Sequence, residues 1–158
     1  MSPLELLGGM AHVGIAQGLH RSTLALACLA SLPAAAVPLQ VTVENVRNDQ
    51  GQLAVCVFSG SRSFPDCAAG ERIATALRPA QPGAMRFEFD LPPATMAVAV
   101  VHDENGNGTL DTNFIGIPRE GVGVSNNPAP RRGPPTYAES AFILTQAGGA
   151  VSIRLVYP

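Results

Sequence analysis

The densest run of oxygen-bearing side chains is His102-Asp103-Glu104-Asn105-Gly106-Asn107-Gly108-Thr109-Leu110-Asp111. Asp103, Asn105 and Asn107 recur at alternate positions, Gly108 follows, and Asp111 closes the set. This is the front of a calcium loop of the D-x-[DN]-x-[DN]-G type. Calcium takes roughly six to eight hard oxygens, and alternate side chains on a tight turn converge to supply them. Gly108 permits the bend, Thr109 offers its backbone carbonyl, and Asp111 is placed to bind directly or through water. A full loop carries a bidentate Glu at its last position, where Phe114 stands here. Asp103 and Asp111 are then the carboxylates of the set, with Glu104 or Glu120 nearby. The expected Ca2+ site is therefore weak, with a dissociation constant on the order of 10⁻⁴ to 10⁻³ M. The plainer alternative is a run of polar turns, since Asn-Gly steps and Asp side chains cap successive turns without a metal.

Other chemistry finds little to work with. Once a leader is removed, His102 is the one histidine left. Zinc sites use several His or Cys ligands. A hydrolase-type enzyme would have to combine His102 with Asp103 and Glu104 and an unidentified nucleophile. On a strand, Asp103 points to the side opposite His102, so His102 is expected to cap the strand end. Gly121-Val122-Gly123 lies among loop signals and not between a strand and a helix, so it is no nucleotide loop. The sequence assembles no catalytic set.

The elements that must position this run are strands. Leu39–Val46 alternates, with Leu39, Val41 and Val43 on one face and Gln40, Thr42 and Glu44 on the other. Leu53–Phe58 is apolar throughout, hence central. The turn Asn48-Asp49-Gln50-Gly51 between them suggests a hairpin. Ile73–Leu77 reads as a weak strand or a helical turn. Ala84–Phe89 alternates with Met85, Phe87 and Phe89 inward, and Met96–Val101 is a second buried strand. Asp103 to Tyr137 is a long irregular stretch rich in Gly, Asn and Pro, and loops of that length are usually functional or held by something. Ala141–Thr145 and Val151–Tyr157 read as a closing pair joined at Gly148-Gly149. No stretch has helical periodicity, and 14 prolines and 16 glycines weigh against helices. The fold class is all-β: a two-sheet sandwich of six to seven strands over residues 37–158.

Residues 1–36 read as a signal peptide. His20 and Arg21 precede the apolar run Ser22 to Leu32, and Pro33-Ala34-Ala35-Ala36 supplies an Ala-x-Ala end. The run is about 11 residues, roughly half of what spans a bilayer as a helix. Cleavage near Ala36–Val37 and a periplasmic or secreted location are expected; a retained N-terminus is the alternative. About 20 residues precede the run, more than a leader needs, so Met10 is a candidate start. Lipidation at Cys28 would want an aliphatic residue where Ala25 stands. Cys56 and Cys67 remain, and in an oxidising compartment an even pair suggests a disulfide; two free buried thiols are the alternative. Residues 37–158 carry no Lys and a slight acidic excess, so nothing is basic enough to hold nucleic acid, and Arg131-Arg132 reads as a solvated pair.

The stretch HDENGNGTLDTNFIGIPREGVGVSNN, His102 to Asn127, followed by GPPTYAESAF, Gly133 to Phe142, resembles a bacterial family of uncharacterised exported proteins, the domain-of-unknown-function family 2141. VTVENVRNDQGQLAVCVF and the Phe64-Pro65 pair fit it as well, and the resemblance covers about residues 39–157. Members commonly read LPPG-x-Y before the strand that leads to the motif. Ala94 and Met96 stand in place of that Gly and aromatic, although Pro92-Pro93 still breaks the chain. The resemblance implies a transthyretin-like or immunoglobulin-like sandwich, an Asp/Asn/Gly turn similar to calcium-holding loops of some surface repeats, and no established molecular function. The expected function is a non-catalytic binding or accessory module. Loops on a rigid sandwich are where such folds place recognition, so Asn113, Phe114, Arg119, Asn126, Asn127 and Tyr137, with Ile115 and Ile117, form the expected binding surface. Its expected partner is an envelope protein or a glycan, with no membrane span. A purely structural envelope domain is the remaining alternative.

Overall fold

The computed structural model describes residues 35–158 apart from Gly70, Pro130 and Arg132. The expected leader falls outside the described residues except for its last two positions, and so do Met10 and Cys28. One compact unit is bounded by Pro33–Pro158.

Among the described residues this unit has eight strands and one short helix: β1 (Val37–Val46), β2 (Gln52–Phe58), β3 (Ala74–Pro79), β4 (Gly83–Leu91), β5 (Ala94–Asp103), β6 (Gly121–Val124), α1 (Tyr137–Ser140), β7 (Phe142–Leu144) and β8 (Gly149–Arg154). They form two sheets, one in the order β4-β1-β8 and the other β3-β2-β5-β6, with β7 also on β5. The all-β two-sheet sandwich read from the sequence is what the chain forms. In the first sheet the alternation of β1 places Leu39, Val41 and Val43 in the core opposite Phe89, Phe87 and Met85 of β4. Gln40, Thr42 and Glu44 face out beside Ala150, Ser152 and Arg154 of β8, which runs parallel to β1. The second sheet contributes Leu53, Val55 and Val57 from β2 and Met96, Val98 and Val100 from β5.

The outer face of the second sheet is apolar too. Cys56, Phe58, Ala99 and Val124 pack there under Phe64, Cys67 and Tyr137. The Phe64 ring stands edge-on to Phe58 at 5.4 Å and to Tyr137 at 5.8 Å. A disulfide joins Cys56 of β2 to Cys67, with Cα atoms 5.8 Å apart, and ties the 59–73 loop down as part of this second layer.

Three sequence expectations need correction. Strands β1 and β2 are not a hairpin: their turn carries the chain from one sheet to the other. The reason lies in burial, because β1 has one wet face whereas β2 is covered on both and so belongs in the doubly covered sheet. Gly51 seals the crossing. It has a φ of +61°, and a Cβ there would lie 1.9 Å from the carbonyl oxygen of Asp103. Nor do β7 and β8 pair beyond a bridge between Thr145 and Gly148; β7 joins β5 and β8 joins β1. Finally, the 103–137 stretch is not wholly irregular. It contains β6, whose Val124 and Val122 pair with Ala99 and Val101, and at its end the single turn α1. Helix α1 is closed by a capping box in which Thr136 and Glu139 bond reciprocally.

Candidate functional site

Strand β5 delivers the motif. Its pleat sends His102 into the sandwich and Asp103 out of it. His102 is fully buried. Its Nε2 lies 2.9 Å from the carbonyl oxygen of Gln50 and its Nδ1 lies 2.8 Å from the Tyr157 hydroxyl. A carbonyl only accepts, so Nε2 carries the hydrogen and Nδ1 accepts from Tyr157. The same hydroxyl accepts the backbone N–H of Arg47 at 3.1 Å. Gly121 makes room for this arrangement, since a Cβ there would lie 2.3 Å from the Tyr157 ring. Thus His102 joins the β1–β2 turn to the C-terminal segment, across the sandwich and not locally.

Asp103 organises the turn that follows. Its carboxylate accepts Nε2 of Gln52 at 3.1 Å, the N–H of Asn107 at 3.1 Å and the N–H of Gly108 at 2.9 Å. Burial works against its charge, but these bonds outweigh it and hold the pKa below the ordinary aspartate value. Glu104 faces the other way. Arg47 grips it through Nε at 2.8 Å and through Nη2, and Asn48 adds Nδ2 at 2.6 Å. The bond from Arg47 is the chief reason that the Glu104 pKa lies below the usual carboxylate range, against the opposing effect of burial. The guanidinium also stacks over Tyr157, 4.4 Å from the ring centroid. Glu120, only 4% exposed, clamps both ends of the turn by accepting the N–H groups of Glu104 and Asp111, each at 3.0 Å.

Within the turn, Asp111 accepts Nδ2 of Asn105 at 2.6 Å and Nδ2 of Asn107 at 3.3 Å. The amide oxygens are used as well: Asn105 Oδ1 accepts Asn107 N at 3.0 Å, and Asn107 Oδ1 accepts Thr109 N at 2.8 Å and Thr109 Oγ1 at 2.9 Å. As arranged, this donor set does not fit a calcium cage. Asn105 and Asn107 turn their NH2 groups, not their oxygens, toward Asp111, where a cation would need oxygens. Reversing either amide would give up the bond from Asn107 N or Thr109 N. Phe114, in the position of the missing Glu, points into solvent. Among the described residues no three His, Cys, Asp or Glu side chains gather as a metal-binding group.

Beyond Asp111 the chain makes a small hairpin. Arg119 N donates to Asp111 O at 2.8 Å, and Thr112 bridges to Pro118. Asn113 builds the tip: its Oδ1 accepts the N–H groups of Ile115 and Ile117, both at 3.0 Å. Its main chain adds Gly116 N to Asn113 O at 3.0 Å and Asn113 N to Ile117 O at 2.8 Å. Phe114 is left 97% exposed, Ile115 64% and Ile117 48%.

The other expected surface residues do different work. Asn126 and Asn127 have positive φ values of 63° and 44°. Asn126 Nδ2 donates to Ala141 O at 2.9 Å. Asn127 meets β8 edge-on, giving Nδ2 to Ser152 O at 2.9 Å and accepting Arg154 N at 2.8 Å. Tyr137 packs on Phe64 and donates its hydroxyl to Thr95 O at 3.0 Å. Phe114 and Arg119 alone of the six keep side chains without a protein partner, among the described residues. Glu120, Arg47 and Tyr157 do more for the site than the sequence reading assigned to them. No spacing rule finds them, because they come from three separate stretches of chain.

Fold and site together define a β-sandwich whose one end carries a self-bonded Asp/Asn/Gly crown and an apolar hairpin tip. The comparisons place it further. The chain matches the family described as "Uncharacterized protein conserved in bacteria (DUF2141)" over residues 41–152, and it belongs to that family. No curated protein and no solved structure matches.

Proposed function

We propose that this protein is an exported, non-catalytic module of the bacterial envelope, periplasmic or secreted, which displays the crown as a preformed contact surface. One observation carries the reading. From Asp103 to Asn127 most polar side chains are turned back onto the chain itself, Thr112 and Arg119 excepted, while the hairpin tip they hold leaves Phe114 97% and Ile115 64% exposed. A loop that only closed a fold would not need that division.

The non-catalytic reading is supported by the engagement of His102, Asp103 and Glu104. Both ring nitrogens of His102 are bonded inside the sandwich, and the two carboxylates are satisfied on other sides of the turn. The hydrolase alternative therefore lacks a free base. Export is supported by the pattern of residues 20–36 and by the Cys56–Cys67 disulfide. The NH2 groups that Asn105 and Asn107 turn toward Asp111 speak against calcium there.

Two measurements test this. Cell fractionation with N-terminal sequencing should find the protein outside the cytoplasm beginning near Val37; an intact cytoplasmic chain refutes export. A photo-crosslinking residue at Thr112 or Arg119 should give a discrete adduct with an envelope component, whereas one at Glu88, on the far sheet, should not. Equal labelling from all three positions refutes the crown as the contact surface.

A further inference from the structure

We infer that the hairpin tip Phe114–Ile117 is a lipid-inserting element that seats the protein on a bilayer surface. This rests on the reading of the crown as the contact surface and names what its tip meets. The first observation is exposure without disorder of form. Three large apolar side chains stand out in solvent, yet four hydrogen bonds made by Asn113 and its neighbours fix the backbone that presents them. The second is backbone chemistry. A turn that enters hydrocarbon must satisfy its own N–H groups, because lipid tails offer no acceptor. Those of Ile115, Gly116 and Ile117, with that of Asn113 at the base, are bonded within the tip, which leaves Phe114 N–H as the one tip donor without a partner among the described residues and limits entry to a shallow seating.

The third observation is charge. Nothing between Asp111 and Arg119 is ionisable, so insertion desolvates no charge. Asp111 is covered by the amides of Asn105 and Asn107. Arg119, exposed and without an ion-pair partner among the described residues, lies one step behind the apolar tip, where a long cationic side chain meets lipid phosphate. A protein pocket fits less well. Interfaces between proteins use side-chain hydrogen bonds at a steady density, and from Phe114 to Pro118 the tip offers no polar side chain. The tip is also convex, the shape that enters a soft layer.

The chain has no tryptophan, so Phe114→Trp reports on the tip alone. The experiment uses residues 33–158, the unit that holds both sheets and the whole core, with vesicles of phosphatidylethanolamine and phosphatidylglycerol. Emission from F114W should shift to the blue on adding vesicles and should be quenched by brominated acyl chains. Adding Ile115→Ser should weaken binding about tenfold or more while the thermal midpoint stays in place, since that side chain is 64% exposed. Arg119→Ala should weaken binding to phosphatidylglycerol-containing vesicles more than to neutral ones. Unshifted emission overturns the inference, as does undiminished binding by the serine variant. A shift that follows protein concentration without lipid assigns the tip to a second copy of the chain and also overturns it. Discrete crosslinks from Thr112 or Arg119 together with unshifted F114W emission would leave the crown as a contact surface and remove only the lipid.

Discussion

Glu120 offers the sharpest test of how the crown is held. It is nearly buried and accepts one N–H from each end of the turn, Glu104 and Asp111, at 3.0 Å. Replacing it with alanine leaves two half-buried donors unpaired. Each unmet donor costs about 1–3 kcal/mol, and half-burial argues for the lower part of that range. Removing a carboxylate that was itself desolvated gives some of this back, so the net loss should be about 2 kcal/mol. Glu120→Gln keeps one acceptor but sets an NH2 group against the other donor, and should lose about half as much. Because β6 begins at the next residue and pairs with β5, opening the crown propagates into the sheet and reaches global stability. Urea unfolding followed by circular dichroism should rank wild type above E120Q and E120A lowest. Amide exchange at Glu104 and Asp111 should quicken on the order of thirtyfold in E120A, which is the same free energy expressed locally. A loss below about 0.5 kcal/mol with unchanged exchange at both amides would refute the clamp.

Three further outcomes follow from the same geometry. Asp103 and Glu104 both have folded-state pKa values below their ordinary ones; their contribution to stability is complete above the unfolded values of about 4 and is lost as pH falls through the lower folded values. Acid unfolding should therefore set in below about pH 4, and Asp103→Asn should be less stable at neutral pH but flatter in that acid range. Calcium at a tenfold excess over a millimolar dissociation constant would add about 1.4 kcal/mol and raise the melting midpoint on the order of 5 °C. The NH2 groups of Asn105 and Asn107 on Asp111 predict no such rise over a chelated control, and a clear rise would overturn the account of the turn. Reducing the Cys56–Cys67 bond, which closes an interval of 11 residues, should cost about 2–3 kcal/mol and weaken the near-ultraviolet signal of Tyr137 as the 59–73 loop loosens; an unchanged urea midpoint would count against it.

Much of the fold is visible in the sequence because single residues report burial face by face. The period of two in Leu39, Val41 and Val43 marks one covered side, and the unbroken apolar run in Leu53–Phe58 marks two. Pairing is a different matter. The turn at Asn48–Gly51 has hairpin chemistry, and nothing local says that Gly51 abuts the backbone of Asp103. Strand β6 escapes notice because two of its four residues are glycines, which carry little strand preference and serve to admit Tyr157 and Ile153. The T-Y-A-E signature of α1 is present at Thr136–Glu139, but one turn is too short to show periodicity. In the crown, residue types are legible and roles are not. Spacing brings Asp103, Asn105, Asn107 and Asp111 together, yet it does not say whether an asparagine turns its oxygen or its NH2 inward. That depends on where the N–H groups of Asn107, Gly108 and Thr109 lie.

The resulting arrangement inverts the usual economy of a long loop. A segment of this length would ordinarily lose a large conformational entropy if it were ordered only on contact. Here that loss is taken on folding, offset by Asp103, Glu120 and the Arg47–Glu104–Tyr157–His102 chain, each anchored in a different strand or turn. A contact made by Phe114 and its neighbours then keeps nearly all of its apolar gain, because the backbone behind it has no freedom left to lose. This explains why the polar residues of the crown are nearly all occupied with one another. On the proposed reading they hold the shape of a surface made by Phe114 and Ile115 with Arg119 behind them, and replacing Asn113 or Glu120 should weaken contact by loosening Phe114 even though neither touches the partner.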